Sequence, residues 1–122
     1  MVSSEVISDS IAVAERYGNS VTVIPCEEVI LKIDNQDSSH QSIERETLRW
    51  TQTPHTFRLG DACDMYREAE RTGKVNTAAT CSLATELGRR VFFSKGSPKN
   101  LKITTKDDLD IFKALLMQES GK

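Results

Sequence analysis

The sequence predicts an α/β fold, and three observations carry that prediction. Segments with apolar residues at helical spacing alternate with short β-branched runs, glycines stand where the helical segments stop, and 122 residues with 38% hydrophobic content suffice for one core. The 16 basic and 18 acidic residues nearly cancel, for a formal charge of -2, which gives no electrostatic reason to expect a nucleic-acid or membrane partner. Cys26, Cys63 and Cys81 are odd in number and far apart, so they read as reduced thiols, small apolar core residues of a cytoplasmic protein. The opening MVSSEVISDS has neither the basic nor the apolar region of a secretory signal.

Residues 4–17 place Ile7, Ile11 and Ala14 on one face of a first helix, which Gly18 and Asn19 stop. A strand over residues 20–24 alternates Val21 and Val23 with polar neighbours and closes at Pro25. The run 29–33 is a second strand, entering a hairpin whose tip is DNQDSS, residues 34–39. QSIERETLRW, residues 41–50, is too charged to own a core, yet Ile43, Leu48 and Trp50 give it apolar anchors; TQTP, residues 51–54, reads as a closing turn. A second helix over 59–71 carries Leu59, Cys63, Tyr66 and Ala69 before Gly73. After a polar loop at 74–76, a third helix over 77–87 carries Ala79, Leu83 and Leu87 before Gly88. Residues 91–93 and 101–103 are short strand candidates separated by the Gly96-Ser97-Pro98 loop. Thr105 is the N-cap of a last helix, with Asp107 and Asp108 opposing its dipole and Leu109, Phe112 and Leu116 as its apolar positions.

The sequence contains no HExxH, GxSxG, GxxxxGK[ST] or GxGxxG pattern, and no cysteine–histidine cluster, so any chemistry falls to other groups. His40 and His55 read as solvated or hydrogen-bonding histidines rather than metal ligands. Lys102, flanked by Leu101 and Ile103 in a strand-like run, is aimed by alternation away from those neighbours, where an ammonium can neutralise phosphate oxygens. From spacing alone, a solvated strand lysine is the commoner reading. Arg45 in IERET offers a planar fork able to grip a phosphate bidentately; from the residues alone, a surface ion pair with Glu44, Glu46 or another partner is the commoner reading. Thr51 and Thr53 supply hydroxyl donors beside Pro54.

IERETLRWTQTPHTFRL followed by GSPKNLKITTKDDLDIFKALL resembles the carboxy-terminal half of the 2-C-methyl-D-erythritol 4-phosphate cytidylyltransferases and the related ribitol-5-phosphate cytidylyltransferases. An arginine shortly before a TP dipeptide, then a Gly-x-x-x-Asn-x-Lys-hydrophobic-Thr run and an acidic helix start, form the resembling pattern. The resemblance implies the carboxy-terminal half of a Rossmann-like nucleotidyltransferase fold, with residues 1–122 as one partial domain. It also implies a projecting β-arm, residues 29–43, that exchanges between subunits of a homodimer. It further implies cytidylyl transfer from CTP to a polyol phosphate, 2-C-methyl-D-erythritol 4-phosphate foremost, in isoprenoid precursor synthesis, with Mg²⁺ held by residues outside this chain. Ribitol 5-phosphate is the alternative acceptor. Carried over by motif position, Arg45 and Lys102 are the catalytic cations on the acceptor's phosphate, Arg45 reaching into the neighbouring subunit's site, and Thr53 and Thr80 are substrate-binding. The half of the family pattern that cradles CTP has no counterpart here, so this chain is expected to be a fragment, inactive alone or a dimerising remnant. Where the family commonly carries an acidic Thr-Asp-Glu or Thr-Asp-Asp run the sequence has Ala78-Ala79-Thr80, and Val29 replaces a common threonine.

Overall fold

The computed structural model describes residues 2–74 and 79–121. Helix α1 (Ser4–Tyr17) begins at Ser3, whose side chain accepts from the Val6 amide, and stops at Gly18 in the left-handed region, φ 100°. Strand β1 (Asn19–Pro25) then enters the middle of a sheet ordered β4-β1-β5. It runs antiparallel to β4 (Arg49–Phe57) and parallel to β5 (Phe93–Lys95). Residues on both faces of β1 are buried, because α1 covers one face and the helices α2 (Leu59–Thr72) and α3 (Thr80–Glu86) lie on the other. The last helix, α4 (Lys106–Ser120), carries a reciprocal cap in which Thr105 accepts from the Asp108 amide and the Asp108 carboxylate accepts from the Thr105 amide.

The core is divided accordingly. Val21, Val23 and Cys81 pack between sheet and helix, with Val91 against them, while Met65, Ala69, Leu83 and Ala84 join α2 to α3 beneath Phe57. On the α1 side the contact is polar and fully satisfied. Ser20 donates to the Ser10 carbonyl at 2.6 Å, and the Ser10 hydroxyl lies 2.8 Å from that of Ser20 and 2.7 Å from that of Thr56. This hydroxyl cluster corrects the predicted face of the first helix: Val6, Ser10 and Ala14 turn inward, and Ile7 and Ile11 are exposed. Patterning by hydropathy alone assigns Ser10 to solvent and therefore rotates the helix.

The projecting hairpin pairs β2 (Ile30–Lys32) with β3 (Gln41–Ile43), within the expected arm at 29–43, and forms a separate two-stranded sheet. Val29, Leu31 and Ile33 are 75%, 59% and 66% exposed along it, so the arm has no local core. Asp34 holds the His40 ring at 2.5 Å at its tip.

Other expectations are corrected. TQTP is no turn: β4 continues through it, accommodating Pro54 at a bulge where the register moves between Val21 and Val23 and the Thr53–Pro54 peptide is cis. Residues 91–93 pair late, as Phe93–Lys95, because the Asn19 side chain, bonded to the Arg90 carbonyl and the Phe92 amide, holds the chain just before the ladder. Residues 101–103 form no strand, since the neighbouring bulge and Pro54 interrupt the ladder they would join. On α2 the inward residues are Met65 and Ala69, set by α3; Leu59, Cys63 and Tyr66 face outward, so Cys63 is not a core thiol. No residue of α4 is buried, Leu109 and Leu116 included. The third helix is described from Thr80; its expected start at 77, and Ala78, lie outside the described residues.

Candidate active site

The bulge in β4 creates the site. A bulged strand frees backbone groups that a regular ladder would use. Here the Thr53 carbonyl accepts from the Asn100 side-chain amide at 2.5 Å, and the Pro54 carbonyl accepts from the Thr22 hydroxyl at 2.7 Å. The Gln52 amide makes a second clasp, donating to the Ser97 carbonyl at 2.8 Å and accepting from the Ser97 amide at 3.2 Å. The bonds from Asn100 and Ser97 fasten the segment 96–102 to the bulge, and that from Thr22 ties the bulge to β1. Gly96 is required for the close approach, because a Cβ there would strike the Gln52 side chain and sit 2.9 Å from the Val23 carbonyl.

Between this segment, the bulge and the start of α4 lies a cavity of about 620 Å³. Trp50, Gln52, Thr53 and His55 line it from β4, Asn100 and Lys102 from the segment, and Thr104 and Asp108 from the α4 start. The Asp108 carboxylate is committed to the Thr104 amide and hydroxyl at 3.1 and 2.9 Å and to the Thr105 amide at 3.1 Å. Those bonds hold it below the usual carboxylate range. Among the described residues, Lys102 is therefore the cavity's uncommitted charge, ringed by amides, hydroxyls and the half-buried His55. Burial holds the His55 ring below the ordinary histidine value; a hydrogen bond to the Gln52 backbone works the other way, and the Lys102 ammonium adds to the lowering.

The expected residues divide between two places. Thr53 and Lys102 meet in this cavity. Arg45 lies in a separate concavity of about 630 Å³ with Pro25, Cys26, Glu27, Glu46 and Arg49. Its guanidinium donates to the Glu27 carbonyl at 2.6 Å and lies 3.9 Å from the Glu46 carboxylate. Thr80 opens α3, where its hydroxyl is 3.2 Å from that of Tyr66, and it is Ala79 beside it that reaches the Lys102 cavity. On sequence grounds Gln52 has no place in the site, Trp50 reads as an apolar anchor and His55 as a solvated or hydrogen-bonding histidine, and Asn100 enters only as part of the resembling run. The one signal available for the β4 members was the β-branched alternation of WTQTPHTF, masked by its proline.

The fold and this arrangement were compared with known proteins. The family of 2-C-methyl-D-erythritol 4-phosphate cytidylyltransferase, IspD, matches residues 1–118. The chain belongs to the IspD family. A ribitol-5-phosphate cytidylyltransferase of Lacticaseibacillus paracasei is 37% identical over 121 residues, 98% of this chain and 52% of that protein. A 2-C-methyl-D-erythritol 4-phosphate cytidylyltransferase of Bacillus thuringiensis is 31% identical over 115 residues, 94% of this chain and 50% of the relative. Among solved structures, the 2-C-methyl-D-erythritol 4-phosphate cytidylyltransferase of Thermus thermophilus superposes with a TM-score of 0.84 at 26% identity, covering 96% of this chain and 57% of that one. The IspD nucleotidyltransferase fold expected from the resemblance is thus the observed one, and the chain spans about half the length of the curated relatives it matches. No group of three or more histidine, cysteine, aspartate or glutamate side chains that could hold a metal ion occurs among the described residues. No helix among them is long and apolar enough to cross a membrane.

Proposed function

We propose that this chain supplies the acceptor-binding and dimerising part of a cytidylyltransferase acting on CTP and a polyol phosphate. The observation that supports it most is the cavity in which Lys102 and Thr53 stand among side-chain amides, hydroxyls and an imidazole, a lining suited to a phosphate at one end and a polyol chain along the rest. In the proposed reaction an oxygen of the acceptor phosphate attacks the α-phosphorus of CTP, the bond to the β-phosphate breaks, and diphosphate leaves. Lys102 neutralises and positions the attacking phosphate. Arg45, lying apart from Lys102 within one chain, reaches the same phosphate from a second subunit joined through the arm at 29–43. Thr53 bonds the acceptor from the bulge, and Thr80 orients the end of α3 beside it. Positioning and charge neutralisation supply most of what such a transfer requires. The 122 residues by themselves turn over no CTP, a reading supported by the half-length match to whole transferases.

The higher identity to a ribitol-5-phosphate cytidylyltransferase, 37% against 31%, favours ribitol 5-phosphate over 2-C-methyl-D-erythritol 4-phosphate as the acceptor. Trp50, the single tryptophan, lines the cavity and gives the readout. Its fluorescence is expected to saturate with either polyol phosphate, ribitol 5-phosphate binding more tightly, and to be indifferent to CTP. Lys102→Ala removes a charge-assisted contact worth roughly 1.5–3 kcal/mol and weakens binding about ten- to 150-fold. No saturable response to either compound, or an unchanged affinity in Lys102→Ala, overturns the proposal.

A further inference from the structure

We infer that His55 is a specificity-determining residue of the acceptor cavity, selecting a doubly charged phosphate monoester by taking up a proton as the phosphate binds. The inference rests on reading the cavity as the acceptor's site. His55 stands on β4 opposite Val21, just past the bulge, and shares the cavity wall with Lys102 and Asp108, the other ionisable side chains lining it among the described residues. Asp108 faces it with a carboxylate already bonded to Thr104 and Thr105, and Lys102 faces it as a cation. Partial burial first, and the lysine as well, hold the imidazole below the ordinary histidine value, against the opposing bond to the Gln52 backbone.

A phosphate dianion changes the sign of that environment. It offsets the Lys102 charge and offers an oxygen acceptor to the ring nitrogen that is not bonded to the Gln52 backbone, so the protonated ring gains a partner. By linkage, a ligand that favours protonation binds more tightly as the pH falls from the bound-state value toward the lower free-state one. This gain ends near pH 6, where the phosphate itself takes a second proton. A neutral polyol gives no such gain, and a singly charged carboxylate gives less. The device thus ranks acceptors by charge rather than by hydroxyl pattern.

The chain has two histidines, so ring-proton NMR resolves both, with His40 on the arm tip as an internal reference. Titrated from pH 5 to 8.5 with saturating ribitol 5-phosphate, the His55 ring is expected to show about tenfold or greater rise in proton affinity. Unphosphorylated ribitol leaves the His55 titration unchanged. The Trp50-monitored affinity for ribitol 5-phosphate is expected to strengthen from pH 8 to 6.5 in the native chain. His55→Gln, which keeps a hydrogen-bonding side chain without the titration, is expected to bind with a flat profile over that range. Saturable Trp50 quenching with an unmoved His55 titration, or a His55→Gln profile identical to the native one, overturns the inference and leaves the acceptor site standing. Absence of any Trp50 or His55 response removes both.

Discussion

Gly96 carries more of the site than its size indicates. Its amide donates to the Val23 carbonyl at 2.9 Å, and its missing side chain lets the Gln52 amide clasp Ser97. Gly96→Ala must therefore push the segment off the sheet or displace Gln52. The expected cost is about 1–3 kcal/mol in urea unfolding, together with weaker ribitol 5-phosphate binding, because Lys102 rides on the displaced segment. A variant of native stability and native affinity would show that the segment is not tied through this contact. At the same scale, charge and motif singled out Lys102, Arg45 and Thr53, of which Lys102 and Thr53 line one cavity and Arg45 another, but left His55 as one of two unremarkable histidines. What distinguishes His55 from His40 is burial beside a cation, a property conferred by a bulge that no local pattern announces.

At the scale of elements, the helices divide into those that hold the fold and one that does not. Leu83 is 1% exposed between α2 and the sheet, and Leu83→Ala is expected to cost about 2–5 kcal/mol. Leu109 on α4 is 39% exposed, and Leu109→Ala is expected to change stability by only about 0.5 kcal/mol. Paired urea titrations test the contrast, and equal losses would mean that α4 is packed as the core helices are. Several helix limits were legible because their signals are local: Thr105 caps α4, and Gly18 and Gly73 take positive φ. Which face each helix buries was less legible. Ser10 turns inward only because Ser20 and Thr56 await it, and α2 is aimed by α3 rather than by its own Leu59 and Tyr66. Strand β4 was hidden for a related reason, since its proline is tolerated through partners, Thr22 and Asn100, that lie far away in sequence.

For the whole molecule, the decisive property is that the arm's apolar row faces solvent. Val29, Leu31 and Ile33 are left largely exposed by the described residues, and an exposed row of this kind favours association. Sedimentation velocity is expected to report a dimer for the native chain and a monomer for the double variant Leu31→Lys, Ile33→Lys, with the far-ultraviolet spectrum preserved. A native monomer, or a variant dimer, counts against arm exchange. The α/β class was legible at this scale because alternation of helix and strand survives the loss of single elements, here the hidden β4 and the strand expected at 101–103. The central position of β1 has a kinetic corollary. Its Thr22 is bonded to Pro54, 32 residues on, and meets Ser94, 72 residues on. Such distant closures rank among the slowest steps available to a small domain. The strand formed first along the chain is thus among the last to be completed, and a nascent chain that has not yet delivered Phe93 exposes an unzipped β1 margin to its neighbours.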